Sequence, residues 1–242
     1  MAHVDGRLTA VLPHADGAFA GTTDGRLLRI GSGAVEPVIG FDEVAGREDW
    51  HAVPSGVPYV RSLTATADSS AVLANVHVGG IPRSTDGGKT WAPTIDPEVD
   101  VHEVRGHPTD AALVVAAAGY GFHWSDDGGV TWTMLNDGLH ATYARAVAFT
   151  SDAALVTVSE GPFAREGAVY RWALGTEEPL EQCIDGLHEP LAGNIDTGSL
   201  DASGEDVVLV DAGGAVFASG DDGLSWFHLT DIEGGANSVV LA

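Results

Sequence analysis

Apolar residues along this chain alternate with polar ones or run in short blocks, and Gly, Asp or Pro breaks the pattern about every ten residues. Runs such as Ala71 to Val76 and Ala112 to Ala117 read as buried strands. No stretch holds the 3.6-residue stripe of an amphipathic helix, so the pattern predicts an all-β chain. The elements recur in a fixed order: a short apolar strand, a second apolar run, a third strand leading into a polar turn, and a fourth strand after a tryptophan.

The polar turn carries the strongest repeat. Three segments fit S-x-D-x-G-x-[ST]-W, with Ser84, Asp86, Gly88 and Trp91 in the first. Ser125, Asp127, Gly129 and Trp132 form the second, and Ser219, Asp221, Gly223 and Trp226 the third. Ser84 and Ser125 stand 41 positions apart, while Ser125 and Ser219 stand 94 apart, twice 47. A unit with a decayed turn is therefore expected near residue 172, where Gly167 to Trp172 matches the strand Gly214 to Ser219. A further degenerate copy lies at Gly25 to Ile30. Four short strands per period of roughly 40–50 residues mark a β-propeller blade. The expectation is one domain of five four-stranded blades over 1–41, 42–97, 98–138, 139–186 and 187–235, with six blades as the alternative. Residues 236–242 are expected as a closing strand that pairs with the N-terminal blade.

In each turn the Asp carboxylate and Ser hydroxyl can accept backbone N–H groups, Gly takes a positive φ, and Trp packs back on the hairpin. With the carboxylates so used, a Ca²⁺ role is not expected.

At these residues the chain resembles the Asp-box, or BNR-repeat, propellers. That family includes sialidases and other glycosidases, sortilin-like receptors and the photosystem II assembly factor type. The stretch from Ser159 through Phe163 to Asp196 is similar to uncharacterised prokaryotic members labelled glycosyl hydrolase or exo-sialidase. The resemblance implies the fold, and for function it implies either protein binding or cleavage of an acidic sugar.

Charge narrows the partners. The 242 residues carry 35 Asp and Glu against 11 Lys and Arg, a net charge of −24, with Lys89 the sole lysine. Such a field repels phosphate backbones and anionic lipid surfaces, so neither nucleic acid nor membrane is an expected partner. The coat resembles that of proteins from salt-loving cells. Cys183 is the single cysteine and reads as a buried small hydrophobe, and the longest apolar run, Ala111 to Ala118, is far too short for a bilayer span. A cytoplasmic monomer without cofactor is expected.

Propeller topology puts the first-strand starts and the second-to-third-strand loops at one end. Arg61, Arg105 and Arg145 recur in first strands as Tyr59-Val-Arg61, His102-Glu-Val-Arg105 and Tyr143-Ala-Arg145, and His77 and Tyr120 lie in the facing loops. These five residues form the expected ligand site, an arginine-lined mouth for an anionic small molecule or an acidic partner segment. The same arginines suit struts to Glu103, Asp196 or carbonyls of the next blade. Under the sialidase-like implication, Glu160 and Asp196 are the candidate catalytic carboxyls, although the Arg-Ile-Pro signature of sialidases is missing. The ten histidines show no metal-ligand spacing, so no metal is expected. Trp50 and His51, in the longest loop, suit either a lid or packing against the blades.

Overall fold

The structure is a computed structural model that describes residues 7–15, 17–52, 56–176, 178–236 and 238–241. It contains five antiparallel sheets, one per predicted repeat. The first holds β1 (Leu8–His14), β2 (Gly17–Thr22), β3 (Leu27–Ile30) and β4 (Val35–Pro37). The second holds β5 (Val60–Ala65), β6 (Val72–Val76), β7 (Pro82–Ser84) and β8 (Ala92–Pro93). The third holds β9 (Val101–Gly106), β10 (Val114–Ala118), β11 (Gly121–Ser125) and β12 (Thr133–Leu135). The fourth holds β13 (Tyr143–Phe149), β14 (Ala153–Ser159), β15 (Glu166–Ala173) and β16 (Glu181–Gln182), with β17 (Leu191–Ala192) also pairing with β15. The fifth holds β18 (Leu200–Ser203), β19 (Asp206–Val210), β20 (Ala215–Ser219) and β21 (Phe227–Asp231). Each sheet is an up-and-down meander, because every connection within a repeat is a short hairpin. Among the described residues no helix is long and apolar enough to cross a membrane.

The chain divides into two compact units, one running to Val114 and including Trp124–Thr133, the other comprising Val115–His123 and the chain from Met134 onward. In the first unit, alternation along β1, β2 and β5 sends Ala10, Leu12, Phe19 and Val60 to one core with Phe41, Trp50 and Trp91. Phe19 and Phe41 are fully buried, each contributing about 1.5–3 kcal/mol of transfer free energy. Neighbouring first strands are joined by hydroxyls: Ser62 Oγ accepts the Val104 N–H at 3.0 Å, and Thr64 Oγ1 accepts that of Gly106 at 2.9 Å. In the second unit Leu155, Val169, Leu200, Leu209, Phe217 and Trp226 form the corresponding core, and Thr157 Oγ1 donates to the Ile195 carbonyl at 2.9 Å.

The three complete turns close as the sequence predicts. Ser125 Oγ donates to Asp127 Oδ1 (2.7 Å) and accepts the Gly129 N–H (2.8 Å). The same carboxylate accepts the Val130 and Thr131 N–H groups, both at 2.9 Å, and the Thr131 hydroxyl at 2.7 Å. Ser84 with Asp86, and Ser219 with Asp221, build the same cage. Glycine is required twice over at Gly129: φ is +81°, and a Cβ there would lie 2.3 Å from Leu73 Cδ2. Each turn is also stapled by a third-strand arginine from the preceding sheet. Arg29 donates to the Gly87 carbonyl, Arg83 to that of Gly128 at 2.8 Å, and Arg171 to that of Asp222 at 3.0 Å.

The expected closing strand is the point of difference. Ser238 to Leu241 belongs to no strand, and Asn237 and Ala242 lie outside the described residues. The Val239 N–H donates to the Gly198 carbonyl and the Leu241 N–H to Asp201 Oδ2, at 2.9 and 3.0 Å. Ala236, Val239 and Leu241 cover Val208, Val210 and Val216, so burial of the fifth sheet's second face holds the tail on its own sheet.

Candidate functional site

Tyr59 and Arg61 are two residues apart at the start of β5, so their side chains share a face. The Arg61 guanidinium lies 5.8 Å from the Tyr59 ring centroid, with Nη1 donating to Tyr59 Oη at 3.2 Å and Nε to the His102 carbonyl at 3.1 Å. Tyr143 and Arg145 repeat the arrangement on β13. There the guanidinium sits 5.2 Å from the ring centroid, with Nη2 donating to Tyr143 Oη at 3.4 Å and Nη1 to Asp196 Oδ2 at 2.9 Å. Burial works to lower the Arg145 pKa, but Asp196 and Tyr143 outweigh it and raise it above the ordinary value. Arg105 behaves differently, folding back along its own strand to Glu103 Oε1 at 2.9 Å. All three arginines thus make contacts of the strut type, to a carbonyl, a carboxylate of the same strand, or Asp196.

The loop after β6 brings His77 under this first cluster. Its N–H donates to the Tyr59 carbonyl at 3.0 Å, and its ring centroid lies 5.0 Å from that of Tyr59. On its far side stands Asp100, placed by the short 3₁₀ turn Pro97–Val99 and held in the left-handed region at φ 56°, ψ 63°. His77 Nε2 is 3.3 Å from Asp100 Oδ1, and His102 Nε2 is 3.3 Å from Asp100 Oδ2. His102 is fully buried and His77 nearly so. Burial works against ionisation of Asp100, but the facing imidazoles of His102 and His77 hold its carboxyl well below the usual range. The non-glycine residue after His77, Val78, has φ +43°, a strained conformation for a β-branched residue.

Of the predicted site residues, Arg61 and His77 come together, joined by Asp100 and His102, which were not singled out as partners. Asp100 and His102 are two positions apart, but His77 stands 23 and 25 positions before them, which leaves no local spacing signal for the cluster. Trp50 packs rather than forming a lid: it is buried against Phe41 and the Gly79 backbone, and the His51 N–H donates to the Val78 carbonyl. Tyr120 stays 63% exposed at the tip of the β10–β11 hairpin.

In the second unit a polar cleft of about 360 Å³ is lined by Asn194, Asp196, Thr197, Ser199 and Asp211, among others. Glu160 is exposed just beyond β14, where Asn194 ties the following loop through Ser159 Oγ and the Pro162 carbonyl. Asp211 is a turn acceptor, taking the Gly213 and Ala215 N–H groups on Oδ1, both at 2.9 Å, and the Ala192 N–H on Oδ2 at 3.0 Å.

No family model matches the chain, and no curated protein matches it either. Solved structures do. An ancestral GH74 enzyme aligns with TM-score 0.67 and 16% identity, over 88% of this chain and 30% of its own. PorZ of Porphyromonas gingivalis, a surface component of the type-IX secretion system, aligns with TM-score 0.61 and 15% identity, over 94% and 28% respectively. YCF48 bound to D1 peptide aligns with TM-score 0.51 and 14% identity, over 91% and 81%. At these identities the likeness establishes the fold: the chain is an all-β propeller protein built of five four-stranded blades. It spans less than a third of the GH74 enzyme and of PorZ.

Proposed function

We propose that this chain is an Asp-box propeller that binds rather than hydrolyses, recognising an anionic small molecule or an acidic segment of a partner protein at its first-strand starts. The observation that carries this reading is the repeated Tyr-x-Arg unit. Arg61 and Arg145 are each stacked on their own tyrosine at the start of a first strand, an arrangement that suits a planar cation to a carboxylate, as the Arg145 contact with Asp196 illustrates. YCF48 shares the fold, and its structure contains a bound peptide. For glycoside cleavage, the proton would leave from Asp196, but Oδ2 of that residue faces Arg145 Nη1 at 2.9 Å, which disfavours it as a general acid.

The test is fluorescence anisotropy with labelled Glu-rich and neutral peptides, beside calorimetry with glucuronate, sialate, citrate and sulfate. The measurements are made in ~2 M KCl, where screening reduces repulsion from the acidic surface. Wild-type protein should bind an acidic probe, and Arg61→Gln or Arg145→Gln should weaken it about tenfold, the loss of about 1.4 kcal/mol of charge-assisted contact. Absence of binding to every probe, or equal binding by both variants, overturns the reading. Release of reducing sugar from an acidic glycan that stops in Glu160→Gln would replace it with catalysis.

A further inference from the structure

Among the described residues, one group of three metal-ligating side chains has its donor atoms gathered at one point: His77, Asp100 and His102, with all ligand atoms within 4.8 Å of one another. We infer that these three side chains bind a divalent transition-metal ion of the zinc type, through two imidazole Nε2 atoms and the Asp100 carboxylate. The inference stands apart from the binding reading above and requires no anionic ligand.

The distances carry the argument. Tetrahedral zinc holds nitrogen at about 2.0–2.1 Å and carboxylate oxygen at about 2.0–2.2 Å, which sets neighbouring donors about 3.3 Å apart. His77 Nε2 lies 3.3 Å from Asp100 Oδ1 and His102 Nε2 lies 3.3 Å from Oδ2, so each imidazole faces one oxygen of the carboxylate, and either oxygen offers zinc a donor at that spacing from one imidazole. That separation is longer than a good N–H···O hydrogen bond. Asp100 Oδ1 indeed meets no hydrogen-bond geometry with any described residue, although it is buried. Its contact with His77 Nε2 is a loose 3.3 Å pairing, and a cation shared with the two imidazoles satisfies the buried oxygen more fully.

The donor set and its support agree with this. Two imidazoles and one carboxylate suit zinc and its first-row neighbours, whereas calcium and magnesium take oxygen ligands. Three protein donors leave a fourth position for water or an exchangeable ligand. The Asp100 side chain is 27% exposed, which sets the cluster close to the surface, while His102 is fully buried and holds its ring in place. The backbone beneath is braced as well: the His102 carbonyl accepts from Arg61, and Tyr59 packs on His77. Two non-glycine residues in the left-handed region lie at the cluster, Asp100 itself and Val78 next to His77. Backbone strain of this kind gathers where geometry is used.

The experiment uses the whole chain stripped of metal with EDTA and dialysed. Zinc is titrated by calorimetry, and cobalt(II) by its visible d–d absorption. One equivalent of zinc should bind, and cobalt should give the intense band of a four-coordinate site that zinc then abolishes. Asp100→Asn and His102→Gln should lower affinity by at least about 100-fold, the upper end of what outer-shell changes alone produce. His228→Gln, which removes the exposed His228–Asp231 pair, should leave binding unchanged. Circular dichroism of the metal-free variants checks that they fold. Should either fail to fold, His77→Ala and the wild-type cobalt spectrum decide instead. No stoichiometric zinc binding by the wild type, no four-coordinate cobalt band, or affinity that survives the ligand substitutions overturns the site.

Discussion

The three tryptophans of the repeated turns are equivalent in sequence, yet the structure makes them unequal, and that inequality can be measured. Trp91 is 8% exposed, donates from Nε1 to its own turn at Gly88 O (3.1 Å), and meets Phe41 and Phe19 edge-on at 5.2 and 6.3 Å. Trp226 is 5% exposed and donates in the same way to Gly223 O at 2.9 Å. Trp132 is only half-buried, and its Nε1 reaches outside its turn to Thr94 Oγ1 at 3.1 Å. Trp91→Ala removes a buried indole and should cost about 3–5 kcal/mol. Trp91→Phe keeps most of the packing but leaves the Gly88 carbonyl unpaired, which should cost about 1–2 kcal/mol. Trp132→Ala should cost about 1–2 kcal/mol, since less apolar surface is lost. Urea unfolding followed by circular dichroism reads these as midpoint shifts. With a slope of roughly 3 kcal/mol/M, a 4 kcal/mol loss moves the midpoint by about 1.3 M. The reasoning fails if Trp132→Ala costs as much as Trp91→Ala, or if Trp91→Phe is neutral.

Acid should loosen the turns. Burial pushes the Asp127 carboxyl up, but the Thr131 N–H and hydroxyl, the Ser125 hydroxyl and the Val130 N–H hold it down at about 2, against an ordinary 3.8. Because the folded value is the lower one, this stability is complete above pH ~4 and is lost as pH falls toward 2. Asp127→Asn should therefore flatten the acid limb of a melting-temperature profile between those limits, and an unchanged limb would refute the assignment. Burial pushes the Cys183 thiol up to about 12. At pH 8 its native thiolate fraction should then be on the order of 10³-fold below that of an exposed cysteine, so a thiol reagent should react fully only in denaturant. Fast reaction in the native state would contradict this. With a net charge of −24, the melting temperature should rise between 0.1 and ~2 M KCl as screening lengths fall from about 10 Å to a few ångströms. A flat or falling trend would remove the salt-adapted reading.

What this chain's sequence determines by itself is local. Each hydrogen bond of the turn cages reaches four positions or fewer along the chain, as from Ser125 to Gly129 and from Asp127 to Thr131, so the motif states its own hydrogen bonds. Alternation and the repeat period then predict five four-stranded sheets, even where the turn has decayed around β3 and β15. Partners across sheets are decided only by tertiary structure. Arg29 meets Gly87 across 58 positions and Arg61 meets the His102 carbonyl across 41, and nothing in either local sequence marks the acceptor, because one backbone carbonyl looks like any other. The third-strand arginines Arg29, Arg83 and Arg171 left a faint trace in their recurrence beside the repeat, unlike the His77, Asp100 and His102 cluster. That cluster exists because the β6–β7 turn and the start of β9 come together, bringing donors 25 residues apart within 4.8 Å. The tail shows the same division: its apolar pattern predicted a closing strand, but the sheet it covers was decided by the apolar face of Val208, Val210 and Val216.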